Sequence, residues 1–256
     1  MNSGIISAGL IVTGAAILIG LERRSPYEPK QRLFRPGLFT DLLGYALAQS
    51  YVLSLVIGAI IYGVQSHAAF IPRGFVSSWP MWLQLLFFFV VHDFYIYCFH
   101  RLQHKSDILW RLHEAHHSVK DVDWLSGARS HSLEILINQT IEFAPMVLLG
   151  AAPEVIAAKG VLDAVWGMYI HANINVRSGK LQYVLNGPEM HRWHHARDVA
   201  APGKNFGTKL AIWDWIFGTA YLPAHQPEAY GLPDADYPKE GWTAYFRQHL
   251  HSFRRG

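Results

Sequence analysis

The sequence predicts an all-α fold: a polytopic membrane bundle of about four to five membrane-embedded helices with a cytoplasmic histidine-rich helical cap. Three observations predict it. The composition is 51% hydrophobic and only 16% charged over 256 residues, whereas a soluble domain carries about 25% charged residues. Apolar stretches of helix length recur along the chain. Eight histidines fall into three tight clusters, His100 and His104 in HRLQH, His113, His116 and His117 in HEAHH, and His191, His194 and His195 in HRWHH. Residues three and four apart share a helix face, so each cluster aims its imidazoles in one direction.

The first segment, about Gly4 to Leu21, is uncharged and closed by Glu22, Arg23 and Arg24. Its charges follow the apolar run rather than precede it, which reads as a retained transmembrane helix and not a signal peptide. The second, about Leu42 to Val64, is again long enough to span. The third, about Trp79 to Phe99, is apolar until His92 and Asp93 and then runs into His100. A fourth, about Leu133 to Ala152, contains Glu134, Asn138, Gln139, Glu142 and Pro145; a fifth, about Glu154 to Ile174, contains Lys159 and Asp163. These two are too polar to face lipid throughout and read as a hairpin with its ionisable groups turned inward or toward one interface. Trp and Tyr, at 9 and 12, suit the aromatic belts of a bilayer protein.

Loop charges set the orientation. Arg23, Arg24, Lys30, Arg32 and Arg35 follow the first segment, only Arg73 follows the second, and Arg101, Lys105, Arg111, Lys120 and Arg129 follow the third. Basic loops stay in the cytoplasm, which puts the N-terminus outside and all three clusters on the cytoplasmic side. The stretch from Pro223 to Gly241 reads as loop. The final AYFRQHLHSFRRG reads as a short basic amphipathic helix, placed on the membrane surface or simply solvated. The net charge of +3 is mild, and no run resembles a nucleic-acid patch. The lone Cys98 excludes an internal disulfide and any cysteine-based zinc site, and its apolar surroundings suggest a packed thiol.

Neutral imidazole is the commonest metal ligand among side chains. The pattern His-x-x-His-His occurs twice; with 15 histidines in the chain, chance supplies it about 0.05 times. Eight imidazoles exceed the four ligands that complete one zinc site, so two ions sharing the clusters account better for the number. Imidazole alone does not choose among Zn, Fe, Cu and Ni. Carboxylates commonly orient such ligands by accepting their other N–H; Asp93, Glu134 and Asp214 are candidates for that role. His92 and His131 are not counted as ligands.

The ordered set resembles the fatty acid hydroxylase / sterol desaturase superfamily of integral membrane di-metal oxygenases, whose boxes run His-x3–4-His, His-x2-His-His and again His-x2-His-His. Asp93 and Tyr97 stand upstream of the first box; RSHSLE around His131 is similar to the family's Arg-x-His-Pro-x-Glu, with Ser132 in place of Pro; HANIN from His171 resembles a further His-containing stretch; and Asn205 to Thr219 resembles the segment after the third box. The resemblance spans roughly residues 80–220, the histidine-box core of a single membrane domain, 1–256. It implies a non-haem di-iron centre, two Fe ions or zinc misloaded in their place, that uses O2 to hydroxylate or desaturate a lipid-like substrate (sterol, fatty acyl or other hydrophobic compound). By the same resemblance the metal ligands are His100, His104, His113, His116, His117, His191, His194 and His195, joined by His171. Asn175 stands four residues on, where some members carry another histidine, and that position is open to water, the Asn amide or O2. No flavin, haem or nicotinamide motif is present, so electrons come from a separate donor, a ferredoxin or a cytochrome b5-like protein. A bacterial inner membrane is favoured over the endoplasmic reticulum.

Two rivals remain at this point. HEAHH also reads as His-Glu-x-x-His, the motif of a membrane zinc metalloprotease with Glu114 as general base; it leaves most of the other histidines unused. A non-enzymatic membrane metal-binding or transport protein is the other, but transporter sites lie near the bilayer midplane, whereas these clusters lie at or beyond the interface.

Overall fold

The structure, a computed structural model, describes residues 3–67, 74–197, 203–232 and 237–254. Arg73 and residues 233–236 and 255–256 of the segments read above lie outside the described residues. The described chain is helical, and its only strand-like pairings are the isolated bridges Pro26–Ile174, Leu185–Leu210 and Ala196–Tyr230.

Each apolar segment becomes a helix. The first is α1 (Ser3–Arg24); the second begins as a π-helix, Thr40–Gln49, that runs into α2 (Ser50–His67); the third is α3 (Met81–Gln103). The fourth and fifth form α5 (Ser132–Leu148) and α6 (Pro153–His171), joined by a four-residue turn, 149–152. Pro153 opens α6 at the first helical position, where its missing N–H costs nothing. Among the described residues three helices are long and apolar enough to cross a membrane, Gly4–Arg24, Thr40–His67 and Met81–Gln103. In α5 and α6 the apolar runs are broken by Glu134, Glu142, Lys159 and Asp163, and these four side chains are turned inward.

The bundle is apolar outside and polar within. Large apolar side chains on α1, the π-helix, α2 and α3 are exposed, while buried apolar residues gather in small clusters such as Val76, Phe88, Met146 and Val155, and Leu53, Ile57 and Ile61. Cys98, expected to be packed, is exposed on α3, on the face opposite Asp93, Tyr97 and His100. Helix α1 packs on α6, where Gly14 lets Val165 come so near that an added Cβ would lie 2.9 Å from it; small residues allow such close approach between membrane helices. Helix α2 packs on α5.

The short helices carry the cap. Helix α4 (Asp107–His117) starts at Ser106, whose hydroxyl accepts the Leu109 N–H, an N-cap that supplies one orphan donor with a partner. Helix α7 (Pro188–His194), α8 (Ile212–Ile216) and the terminal α9 (Ala244–His251) complete it. The loops between them are pinned by buried charges. Glu22, at the end of α1, accepts the N–H groups of both Trp124 and Asn173. Arg129 is fully buried and paired with Asp41 and Glu240, and Arg35 bridges Asp41 and Asp123.

Candidate metal centre

Nine imidazoles meet at the mouth of the bundle in two groups. His100, His104, His113, His117 and His194 form one; His116, His171, His191 and His195 form the other. Within each group, one ring nitrogen from every member lies within 4.8 Å of the rest. The last turn of α3 gives His100, its C-cap is His104, the C-terminal half of α4 gives His113, His116 and His117, the end of α6 gives His171, and α7 with its C-cap gives His191, His194 and His195. The two His-x-x-His-His segments are each split between the groups: His113 and His117, four apart, share one group while His116 joins the other.

The tautomers follow from the acceptors. The Nδ1–H groups of His100, His116, His171 and His194 donate to the carbonyls of Phe206, Arg129, Gly167 and Lys204, and that of His113 donates to the Glu134 carboxylate at 2.9 Å. A carbonyl or carboxylate oxygen only accepts, so Nδ1 carries the proton and Nε2 is left with a bare lone pair. These Nε2 atoms face one another: His100 and His113 at 3.0 Å, and in sequence His116, His171, His191 and His195 at 3.2, 3.0 and 3.2 Å. With no proton between His100 and His113, or between His116 and His171, these contacts are two acceptors set against each other, which is unfavourable without a cation. His104, His117 and His194 each add a buried Nε2 with no partner among the described residues.

The spacing fits metal ligands. Two nitrogens about 2.1 Å from one ion lie about 3.0 Å apart at a right angle and about 3.4 Å apart at a tetrahedral angle; the observed contacts match the tighter edge. Burial holds His113, His117, His191, His194 and His195 well below the ordinary imidazole value near 6.5 and lowers His116 as well, so they are neutral and able to ligate at physiological pH.

Of the proposed orienting carboxylates, Glu134 alone bonds an imidazole. Asp93 and Asp214 act one step further out. Asp93 accepts from Thr208, the Lys209 and Leu210 N–H groups and the Trp213 indole; Asp214 accepts the Phe206 and Gly207 N–H groups and the Thr219 hydroxyl. Together they fix the loop whose Phe206 carbonyl orients His100. Asn205 starts that loop at a positive φ of 56°, held by bonds to Met190, Thr219 and Tyr221; Asn tolerates this left-handed conformation better than most residues.

Asn175 is not brought to the centre. It is exposed, and its N–H bonds the Ser25 carbonyl beside the Pro26–Ile174 bridge, which turns the chain away from the imidazoles. The Asn amide therefore does not fill a coordination position here. Glu114, the base required by a protease, faces away from both groups; its carboxylate is held by Arg254 at 2.5 and 3.0 Å. His131 caps α5 by accepting the Leu133 N–H. Sequence reading overlooked Gly127: a Cβ there would lie 2.5 Å from the His171 ring, so only glycine lets that imidazole in. The signal was the small-residue stretch SGA before Arg129.

A cavity of about 220 Å³ opens beside the imidazoles between α3, α5 and α6. One end is lined by His100, His113, His116, His171 and His191; the other by His92, Glu142, Asp163 and Lys209. At that deeper end the Lys159 ammonium bonds Glu142 at 2.9 Å and Asp163, and Lys209 reaches Asp163 at 3.1 Å.

The fatty acid hydroxylase family model matches residues 85–219. An ornithine lipid hydroxylase of Rhizobium tropici is 31% identical over 214 residues, 81% of this chain and 65% of its own length. An alkylglycerol monooxygenase of Danio rerio is 31% identical over 209 residues, covering 82% of this chain and 45% of its own, and a methylsterol monooxygenase of Arabidopsis thaliana is 26% identical over 162 residues, 60% of each. The chain thus spans less than two thirds of the length of these relatives. No solved structure matches. The matched span holds every imidazole of both groups and more than half of the chain, and on that ground the protein belongs to the fatty acid hydroxylase family.

Proposed function

We propose that this protein is a membrane-embedded di-iron oxygenase that hydroxylates a lipid. The observation that carries the reading is the pair of buried imidazole groups with facing lone pairs, set at the head of a cavity between α3, α5 and α6. His100, His104, His113, His117 and His194 hold one ion, and His116, His171, His191 and His195 the other. Bound iron supplies the activation of O2: one oxygen atom enters a C–H bond to give an alcohol, while the other leaves as water after taking up two electrons and two protons.

The chain's own residues do the rest. The carbonyls of Phe206, Arg129, Gly167 and Lys204 and the Glu134 carboxylate hold the imidazoles in the ligating tautomer. Such outer partners are worth about 10–100-fold in metal affinity or activity. The walls of the cavity exclude bulk water from the reacting carbon. Electrons come from a separate ferredoxin or cytochrome b5-like protein, with Lys105 and Lys120, both exposed near the centre, available to steer an acidic partner. The loop charges favour a cytoplasmic centre, and a bacterial inner membrane stays the favoured location. The relatives named for ornithine lipid, alkylglycerol and methylsterol support a lipid substrate and favour hydroxylation over desaturation.

The test is incubation of the iron-loaded protein with a reduced donor, isotopically labelled O2 and a membrane lipid extract. The expected result is a lipid carrying one labelled oxygen. Labelled O2 that enters no lipid while peptide bonds are cleaved would overturn the reading.

A further inference from the structure

A second, larger cavity of about 710 Å³ lies outside the imidazole centre, between the π-helix, the start of α2 and the C-terminal α9. Leu38, Leu43, Ala48, Val52 and Leu53 line one wall, and Trp242, Tyr245 and Phe246 the other. The groove follows the helix axis from residue 38 to residue 53, roughly 20 Å. A groove of that length can seat an extended hydrocarbon chain along the helix axis. Its helical wall belongs to a candidate membrane span, Thr40–His67, so it opens at the level of lipid. Trp242, 97% exposed, and Phe246 stand at its rim, the depth at which aromatic side chains anchor membrane proteins.

The inner end of the groove is one side chain away from the cavity at the imidazoles. Gln49 lines the groove, and its amide donates to the carbonyl of Ser130, a residue that lines the inner cavity, at 3.0 Å. The Gln49 carbonyl oxygen accepts from Tyr245 at 2.9 Å and from Ser132 at 3.0 Å, and His249 closes the cluster, its Nε2 lying 2.8 Å from the Ser132 hydroxyl. Gln49 is the last residue of a ten-residue π-helix. Such helices are rare and concentrate at functional sites. Gly44 lets the Tyr245 ring close down on that helix, with an added Cβ only 2.9 Å from it.

We propose that the groove is the entry site for one acyl chain of a membrane lipid, and that Gln49 with Tyr245, Ser132 and His249 is the latch between it and the inner cavity. The passage from groove to cavity rests on the oxygenase reading; the binding of a chain in the groove does not. Opening requires rotation of Gln49 and a shift of α9 away from the π-helix, which breaks the Tyr245 and His249 contacts.

The experiment uses the full chain, free of metal, in phosphatidylcholine vesicles that carry a trace of phospholipid with a diazirine in one acyl chain. Cross-links are mapped by mass spectrometry. Adducts on residues 38–53 and 241–246 should exceed those on exposed positions of α1 by about tenfold, a preference of about 1.4 kcal/mol. Ala48→Trp and Leu43→Trp, both at exposed positions, should abolish that excess and leave α1 labelling unchanged. Gln49→Ala, or the milder Tyr245→Phe, should move a share of adducts to residues 130–134. Even labelling of all lipid-facing helices would mean that the groove holds bulk bilayer lipid only and would overturn the site. A sterol diazirine that labels the groove in preference to the acyl probe would overturn the assigned occupant. Groove labelling that neither latch variant extends inward would overturn the latch. Because the protein is metal-free, these outcomes stand whether or not it oxidises a lipid.

Discussion

Two polar layers are buried in this bundle, both anchored on α3, α5 and α6, the outer one completed by α4 and α7, and they are built on opposite principles. His100 and His92 on α3, Glu134 and Glu142 on α5, and His171 and Asp163 on α6 are each eight residues apart, about 12 Å along a helix. The outer layer is nine imidazoles whose lone pairs face one another with no counter-charge among them. The inner layer, His92, Glu142 and Asp163, also has ring and carboxylate atoms close enough to hold an ion. It already contains its cation, because Lys159 sits among them with Lys209 beside it. Residue types that ligate metals make a metal site only where the protein has not filled the space with its own positive charge. Ionisable groups inside a membrane bundle are expensive and pair with one another; the inner layer does so internally, and the outer layer calls for ions from outside.

Acid should separate the layers first and by the largest amount. Five of the buried cap imidazoles, His113, His117, His191, His194 and His195, are held well below 6.5, and His116 is lowered too. The unfolded chain takes up protons below about pH 6.5 while the folded imidazoles do not, so folding stability is kept above that pH and lost as pH falls from it toward the depressed folded values. The loss approaches about 1.4 kcal/mol per pH unit for each imidazole. Denaturant melts of the metal-free protein at pH 7.5 and pH 5.5 measure it, and equal stability at both would contradict the neutral assignment.

Next in size is Lys159→Met. It leaves Glu142 without its cation and Asp163 with Lys209 alone, and should cost about 3–5 kcal/mol. Adding a divalent ion should restore part of that loss in the variant and none in the parent chain, as read by thermal melting. A variant as stable as the parent would show that the inner layer is not held by Lys159.

Glu134→Gln removes the carboxylate on His113 but keeps its shape. Metal affinity should fall about 10–100-fold, in metal titrations against a competing chelator. Smallest is Asn175→Ala, which should change stability by less than about 0.5 kcal/mol and leave metal binding unchanged; loss of an ion would return Asn175 to the centre.

The outer layer was legible because its residues come as three dense clusters at helix spacing, and the five apolar segments placed the helices within a few residues. The ninth ligand candidate, His171, was reached only through the family resemblance. That Glu142, Lys159 and Asp163 turn inward was legible from two segments too polar for lipid. Their meeting with His92 and Lys209 was not, because only the crossing of α3, α5 and α6 with the 206–210 loop assembles residues scattered over more than a hundred positions. The carbonyls that set the tautomers carry no side-chain mark at all. Asp93 and Asp214 looked like direct partners of imidazoles because a carboxylate usually plays that part, whereas here backbone N–H groups of the 206–210 loop take up both. Asn175 was a candidate only through the family resemblance; α6 ends at His171, and the chain beyond it bonds Ser25 instead of entering the centre.

Two imidazole groups that hold one ion each make a stoichiometric prediction. Metal per chain should be measured by mass spectrometry on protein loaded with iron in detergent, alongside His104→Ala and His195→Ala. The parent should carry about two ions per chain, and each variant about one, the ion lost in one variant being retained in the other. A single tightly held ion in the parent, or two variants that both lose all metal, would contradict two separate sites.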